Sequence, residues 1–300
     1  MTNHIFWIAS YPKSGNTLMR SILTALFFSN DGKFNFDLLK KIVTLEEVAR
    51  LRTVKQLDYK NFINKNIKDR STLIFDYLYD IKKKSNLGFK EDFAFFKTHF
   101  CAENFDNKKF IINEYVRGVI YIVRDPRDVC VSWARYAGLS IEKSLDFLLD
   151  NEAFIQWTAY QGAKEYPKNI PVIISSWEKH YLSWLKSISK IPHLIIRYED
   201  LVYNKEKIIY DIIEFFSKNY NIKVQNEYIK IKNILKTTNF SRMQNEEINK
   251  GFSESDVKQF FSVGKKEQWK DKLSNDQIIR LEKKFNHTMN LLKYELNIEI

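Results

Sequence analysis

Near the start of the chain, a lysine, a serine and a glycine stand between an apolar segment and an amphipathic one. Residues 5–9 are consecutive apolar residues, several of them β-branched or aromatic, which predicts a buried strand. The apolar periodicity that starts at Leu18 predicts a helix, which Asn16 and Thr17 would cap. Because backbone amides at a helix N-terminus attract anions, we expect this loop to hold a phosphate or sulfate, with Lys13 adding a full positive charge.

The alternative for this segment is a Pro/Gly turn that carries a solvated lysine. The strict phosphate-loop pattern G-x-x-x-x-G-K-[ST] is absent, because Lys13 precedes Ser14-Gly15 instead of following the glycines. Taken alone, the segment leaves both interpretations open.

Three further apolar segments end in clusters of polar residues. Residues 93–96 are followed by Lys97-Thr98-His99, residues 119–123 by Arg124-Asp125-Pro126-Arg127-Asp128, and residues 194–196 by Arg197-Tyr198-Glu199-Asp200. Apolar strands that alternate with helices predict an α/β fold of the P-loop-like, three-layer kind, with a mostly parallel central sheet flanked by helices. Ligands of such sheets bind at the carboxyl ends of the strands, so four strand ends indicate one ligand site.

The chain of 300 residues, 44% of them hydrophobic, is expected to form one domain over residues 1–300. Leucines and isoleucines at helical spacing predict a helical insertion at about 35–90. The polar segment at about 239–269 contains two glycines and is expected to be a loop that covers the site. Ser274 and Gln277 predict a capping box at the start of the last helix.

Composition restricts the class of protein. The net charge of +11 weakly favours anionic ligands, and no zinc-finger, basic-region or RRM-type motif indicates nucleic acid. Cys101 and Cys130 have no C-x-x-C spacing, which argues against a disulfide framework and a structural zinc, so we expect a cytoplasmic protein. No apolar run approaches the roughly 18 residues of a membrane span, and the N-terminus lacks a signal-peptide pattern.

Taken together, the motifs resemble those of the sulfotransferases that use 3′-phosphoadenosine 5′-phosphosulfate (PAPS). Residues 11–17, YPKSGNT, are similar to that family's YPKSGTT loop, and Lys97-Thr98-His99 is similar to its K-T-H. Arg124 and Ser132 stand eight residues apart, as they do in the family's 3′-phosphate motif (132 − 124 = 8). The resemblance covers residues 5–269, and the N/K/I-rich composition suggests a bacterial member.

The resemblance implies a role for each matching residue. Lys13, Ser14, Gly15, Asn16 and Thr17 would hold the 5′-phosphate and the bridging oxygen, with Lys13 stabilising the leaving group. His99 would be the general base, with Lys97 near the sulfuryl group, and Arg124 and Ser132 would bind the 3′-phosphate. Tyr198, Thr238 and Phe240 match positions that line the adenine, while Gly264 and Lys265 match the late loop of the family.

Elementary chemistry agrees with several of these roles. An unperturbed imidazole titrates near pH 6.5, so a neutral His99 could remove the proton of an attacking hydroxyl. A guanidinium at a strand end and a hydroxyl in the next helix could contact one phosphate from two sides. We expect no metal, because lysines and amides suffice for the weakly charged sulfuryl group and Asp125 and Asp128 are expected to cap the following helix.

Two features depart from the family pattern. Leu18 replaces the tryptophan that stacks on adenine, and Ser262-Val263 replaces the Arg-Lys pair of the late loop, where Lys265 or Lys266 would supply the charge. The sequence therefore predicts in-line transfer of sulfuryl from PAPS to a hydroxyl of a glycan, a lipid-linked sugar or a small alcohol or phenol. The alternatives are a P-loop NTPase or kinase and an inactive nucleotide-binding adaptor. The sequence does not specify the acceptor or the oligomeric state.

Overall fold

The computed structural model describes residues 5–46, 93–104, 108–155, 171–252, 254 and 259–297. The predicted helical insertion at about 35–90 lies outside the described residues from position 47 to position 90. Its first part is a 3-10 helix, Phe36–Lys41, which Asn35 caps by accepting a hydrogen bond from the Leu38 amide.

Seven strands are found in the described residues: β1 (Ile5–Ser10), β2 (Val43–Thr44), β3 (Ala94–Thr98), β4 (Val116–Val123), β5 (Phe154–Ile155), β6 (Val172–Ile173) and β7 (His193–Arg197). Five form a sheet in the order β2-β3-β1-β4-β7, and β5 and β6 form an antiparallel pair. β1 and β2 both pair with β3 in parallel, with Ile5 opposite Ala94 and Val43 opposite Phe96. The predicted mostly parallel sheet flanked by helices is confirmed.

Helices alternate with these strands along the chain. In the described residues they are α1 (Asn16–Phe28), α2 (Pro126–Ala137), α3 (Ile141–Leu149), α4 (Trp177–Ile188), α5 (Tyr198–Tyr203), α6 (Lys205–Tyr220), α7 (Glu227–Thr237), α8 (Phe240–Lys250) and α9 (Asn275–Leu291), with a second 3-10 helix at Gln268–Asp271. The segment 239–269 therefore contains a helix, α8, where we predicted only a loop. In these described ranges, no helix combines the length and apolar character that a bilayer crossing requires.

The chain divides into two compact units. The first comprises Met1–Tyr11, Val43–Val119 and Asp150–His193. Its core is aromatic: the Trp7 ring lies 5.6 Å from that of Phe96 and 6.3 Å from that of Trp184, centroid to centroid. Trp184 belongs to the buried face of α4, as its helical spacing predicted, and its indole N–H donates to the Phe100 carbonyl at 2.9 Å. Edge-to-face ring contacts and this satisfied donor stabilise the strands that carry the polar ends.

The second unit comprises Pro12–Ile42, Ile120–Leu149 and Leu194–Ile300. The buried Arg127 is bonded to Asp125 and Glu282, which joins the start of α2 to α9. Lys230 of α7 donates to the Leu26 carbonyl at 2.7 Å, near the end of α1. The predicted capping box is present, since Ser274 and Gln277 bond each other's backbone amides at the start of α9.

Candidate active site

The loop between β1 and α1 adopts a backbone that few residues tolerate. Lys13 has a φ of 66° and Gly15 a φ of 100°, both in the left-handed region. A Cβ on Gly15 would lie 2.5 Å from Cδ2 of Tyr198, so only glycine fits between the loop and α5. Gly15 occupies the N-cap of α1 and provides no side-chain cap. The predicted capping by Asn16 and Thr17 is wrong, because both residues lie inside the helix.

This uncapped helix start is polar and buried. Ser14 is fully buried, and its hydroxyl has no hydrogen-bond partner among the residues that the structure describes. A buried hydroxyl without a partner is energetically costly, and a ligand oxygen at this place would satisfy it. The first turn of α1 contains no acidic residue that would oppose an anion. The loop therefore has the properties of an anion-binding site.

The Lys13 ammonium lies between two aromatic rings. Its Nζ is 3.9 Å from the centroid of the Tyr136 ring and 4.2 Å from that of Phe260. Burial lowers the pKa of Lys13, and with the positive charges of Arg124 and Arg135 acting in the same direction the pKa falls to about 7. At neutral pH about half of such lysines are charged, and an anionic ligand would stabilise the charged form and raise the pKa.

Arg124 connects the loop to residues 260–269, which we call the late segment. Its guanidinium donates to the Lys13 carbonyl at 3.1 Å and to the Lys265 carbonyl at 3.2 Å. It also lies 3.5 Å from the Asp128 carboxylate and 4.2 Å above the Tyr198 ring. Of the predicted nucleotide-binding residues, the structure thus brings Lys13, Arg124, Tyr198 and Lys265 together in the second unit. Lys265 contributes its backbone carbonyl to this cluster, and its side chain is exposed.

The two aspartates near Arg124 are already engaged. Asp125 is the N-cap of α2, as predicted, and accepts from the Arg127 amide. Asp128 does not cap the helix; it accepts from the amides of Glu267 and Trp269, at 2.8 and 3.2 Å. Burial raises the pKa of Asp128, although Arg124 and the two amides act to lower it. These carboxylates therefore hold protein groups. In the described ranges, no cluster of three or more His, Cys, Asp or Glu side chains is arranged for a metal ion.

The late segment packs against α8. A Cβ on Gly264 would lie 2.1 Å from the Phe240 ring, so the glycine at φ 64° lets that ring lie against the backbone. Glu247 of α8 accepts from the amides of Phe260 and Phe261, at 2.6 and 2.9 Å, and so fixes the segment that carries the Phe260 ring. Glu247 was not predicted from the sequence, because a polar helix with few buried residues resembles a loop.

Two other predicted cofactor-binding residues, Thr238 and Ser132, also belong to the second unit. Thr238 is fully buried, and its hydroxyl donates to the Ile234 carbonyl at 2.8 Å, so that hydroxyl closes the end of α7. Ser132 lies partly buried on α2, the helix that follows Arg124.

Gly264→Ala is expected to destabilise the protein more than Gly138→Ala. Both glycines have a φ near 65°, where alanine costs about 1–2 kcal/mol, but only Gly264 faces the Phe240 ring. The added overlap should cost a further ~1–2 kcal/mol in the free energy of unfolding. Thermal or urea denaturation of both variants measures the difference. Equal losses would show that the Phe240 ring moves away without cost.

In the first unit, His99 follows β3 and its ring is oriented by Ser10. Nδ1 of His99 lies 2.8 Å from the Ser10 carbonyl oxygen and 3.3 Å from the Ser10 hydroxyl. Because a carbonyl oxygen only accepts, Nδ1–H is the donor of this hydrogen bond, and in the neutral ring the lone pair is on Nε2. In that tautomer, Nε2 is the ring nitrogen that can accept a proton.

Two residues that the sequence did not reveal hold His99 in place. Glu46 accepts from the His99 amide at 2.7 Å and lies 3.5 Å from Lys97 Nζ. His180, fully buried on α4, has Nε2 3.1 Å from the His99 carbonyl. Burial lowers the pKa of His180 to about 3, so its ring is neutral and Nε2–H donates.

Comparison with known proteins identifies the family. Residues 4–293 match the sulfotransferase domain, so the chain belongs to the sulfotransferase domain family. It is 24% identical over 244 residues to the luciferin sulfotransferase of Photinus pyralis, which covers 79% of this chain and 56% of that protein. It is 26% identical over 177 residues to sulfotransferase 2A2 of Rattus norvegicus, covering 57% of this chain and 56% of that protein. The chain thus spans just over half the length of these curated relatives.

Solved structures show the same fold. A mouse sulfotransferase complexed with PAP superposes with a TM-score of 0.60 at 19% identity, covering 96% of this chain and 84% of that one. A retinol dehydratase in complex with androsterone and the inactive cofactor PAP gives a TM-score of 0.58 at 17% identity, covering 100% of this chain and 83% of that one. The predicted P-loop-like fold is confirmed by these similarities.

Proposed function

We propose that this chain transfers the sulfuryl group of PAPS to a hydroxyl of an acceptor. The observation that carries the proposal is the buried loop before α1, where the Ser14 hydroxyl lacks a partner among the described residues. Lys13 and Arg124 add positive charge beside it, which suits a phosphosulfate. The relatives' activity supports the same assignment, since they are sulfotransferases.

The loop residues Lys13, Ser14, Gly15, Asn16 and Thr17 hold the 5′-phosphosulfate in this proposal. Arg124, with Ser132 and the late segment at Gly264 and Lys265, binds the 3′-phosphate. Tyr198, Thr238 and Phe240 line the adenine. The Arg124 guanidinium lies 4.2 Å from the centroid of the Tyr198 ring, and this cation–π contact holds the tyrosine ring in place. PAPS is a co-substrate, and the reaction needs no metal.

The transfer itself is an in-line displacement at sulfur. His99 Nε2 takes the proton of the acceptor hydroxyl as its oxygen forms the new bond to sulfur. The bond from sulfur to the 5′-phosphate oxygen breaks at the same time, and 3′-phosphoadenosine 5′-phosphate (PAP) leaves with the negative charge. Lys13 stabilises that charge, and Lys97 stabilises the sulfuryl oxygens. Positioning and electrostatics supply most of the rate enhancement, as in phosphoryl transfer.

The acceptor is proposed to be a hydroxyl-bearing molecule, with a carbohydrate or a lipid-linked sugar ahead of a phenol. Incubation with PAPS labelled in the sulfuryl group and a panel of glycans, sterols, alcohols and phenols tests the proposal. We expect label in at least one product and stoichiometric release of PAP. A thermal-shift comparison addresses the rival NTPase: stabilisation by ATP with Mg²⁺ and none by PAP would replace this proposal with that one.

A further inference from the structure

A single buried carboxylate contacts three consecutive residues at the end of β3. Glu46 is 2% exposed, and its Oε1 accepts from the Thr98 hydroxyl at 2.9 Å and from the His99 amide at 2.7 Å. Its Oε2 lies 3.5 Å from Lys97 Nζ, and both side chains of that ion pair are largely buried. A buried carboxylate is costly unless it is paired and hydrogen-bonded, and all of these partners lie within residues 97–99.

The sheet places Glu46 there. β2 pairs with β3 in parallel, with Thr44 opposite Lys97, and the Leu45 amide donates to the Lys97 carbonyl at 3.0 Å. Glu46 is therefore the second residue beyond the carboxyl end of β2, beside the carboxyl end of β3. Register between neighbouring parallel strands, and not local sequence, sets this juxtaposition.

The contacts leave the backbone of His99 little freedom. Glu46 holds its amide, His180 holds its carbonyl at 3.1 Å, and Ser10 orients the ring. The Thr98 hydroxyl, which donates to Glu46, also accepts from the Phe100 amide at 3.0 Å. These contacts form one polar network around His99. Glu46 provides the only carboxylate among them.

We infer that Glu46 is a positioning residue for the transfer reaction: it fixes the His99 peptide so that Nε2 points at the acceptor, and its charge holds Lys97 in place. The inference rests on the proposed function. The negative charge of Glu46 also stabilises the imidazolium that forms as His99 takes up the proton. Of the groups known to face His99, Lys97 opposes that stabilisation and neutral His180 does not affect it.

Two variants separate geometry from charge. Glu46→Gln keeps an oxygen for the His99 amide and the Thr98 hydroxyl but removes the charge, so we expect kcat to fall about 10-fold. Glu46→Ala removes both, and the expected fall is about 100-fold or more. The Kd of PAP, measured by calorimetry, should stay within about 2-fold in both variants. In Glu46→Gln the acid limb of the pH profile should move to lower pH, because the imidazolium has lost a neighbouring anion.

Glu103→Gln is the matched control, since Glu103 also pairs with a lysine, Lys179, at 3.3 Å in the same unit but at the surface. It should keep the wild-type rate. A wild-type rate in both Glu46 variants overturns the inference and leaves the proposed function standing. The inference is also overturned if the rate falls only in proportion to the fraction of protein that still binds PAP and the pH profile is unchanged. That result would indicate a structural role only. Absence of any transfer by the wild-type protein overturns both.

Discussion

His99→Ala is expected to lower kcat by about 10²–10⁴-fold, the range that a well-placed general base contributes. The reason is the tautomer: with Nδ1–H donated to the Ser10 carbonyl at 2.8 Å, Nε2 is the nitrogen that can accept a proton. The variant should still bind PAP with a Kd within about 2-fold of wild type, because the base does not contribute to nucleotide binding. Steady-state kinetics with labelled PAPS, together with calorimetry, measures both quantities.

His193→Ala provides the control for this experiment. His193 belongs to the same unit, and its Nδ1 likewise lies 2.7 Å from a backbone carbonyl, that of Ile191, but the residue is exposed. Its replacement should leave kcat unchanged. A second readout is rescue: added imidazole should restore part of the rate in His99→Ala only. If His99→Ala retains the wild-type rate, another group takes the proton and the assignment of His99 is wrong.

The strands and their polar ends could be predicted because their signals are local. Residues 5–9 form a continuous apolar run, and β1 extends only one residue further, to Ser10. The polar residues that follow β1, β3 and β4 are close to the strand ends in sequence. Predicting where the strands end therefore also identified Lys13, His99 and Arg124 as candidate site residues. The mostly parallel arrangement followed from apolar strands alternating with helices.

The residues that support the site could not be predicted, because their partners are remote in sequence. Glu46 and His180 contact His99 from 53 and 81 positions away, and neither has a distinctive local pattern. Propensity also misled at the start of α1, where asparagine is a strong N-cap candidate. The close approach of Tyr198 and the φ of 100° there required Gly15 at that position instead. Tertiary packing overrode the local preference.

Nucleotide binding is expected to weaken as pH rises above 7, by up to about tenfold per pH unit, because Lys13 loses its proton in the empty site. Burial holds the pKa of Lys13 at about 7, helped by Arg124 and Arg135 and opposed by Glu247. The charged form binds the anion, and the fraction of charged Lys13 falls tenfold per unit above that pKa. A bound dianionic phosphate raises the pKa again, so binding at higher pH requires uptake of a proton.

Calorimetry of PAP binding at pH 8 in buffers of different ionisation enthalpy measures this uptake. With a pKa of about 7, roughly 0.9 of the Lys13 side chains are neutral at pH 8, so about 0.9 proton should be taken up per site. The ligand does not interfere, because phosphate monoesters have a second pKa of about 6 and are fully ionised at pH 8.

Lys13→Arg is the matched control, since arginine stays charged through this pH range and should bind PAP without proton uptake. Lys13→Ala should also lose the uptake, and its kcat should fall by about 10²–10³-fold, as when a group that stabilises developing charge is removed. Uptake of about 0.9 proton by Lys13→Arg would assign the titration to another residue. Absence of uptake in the wild-type protein would mean that the rings of Tyr136 and Phe260 hold Lys13 charged even before the nucleotide binds.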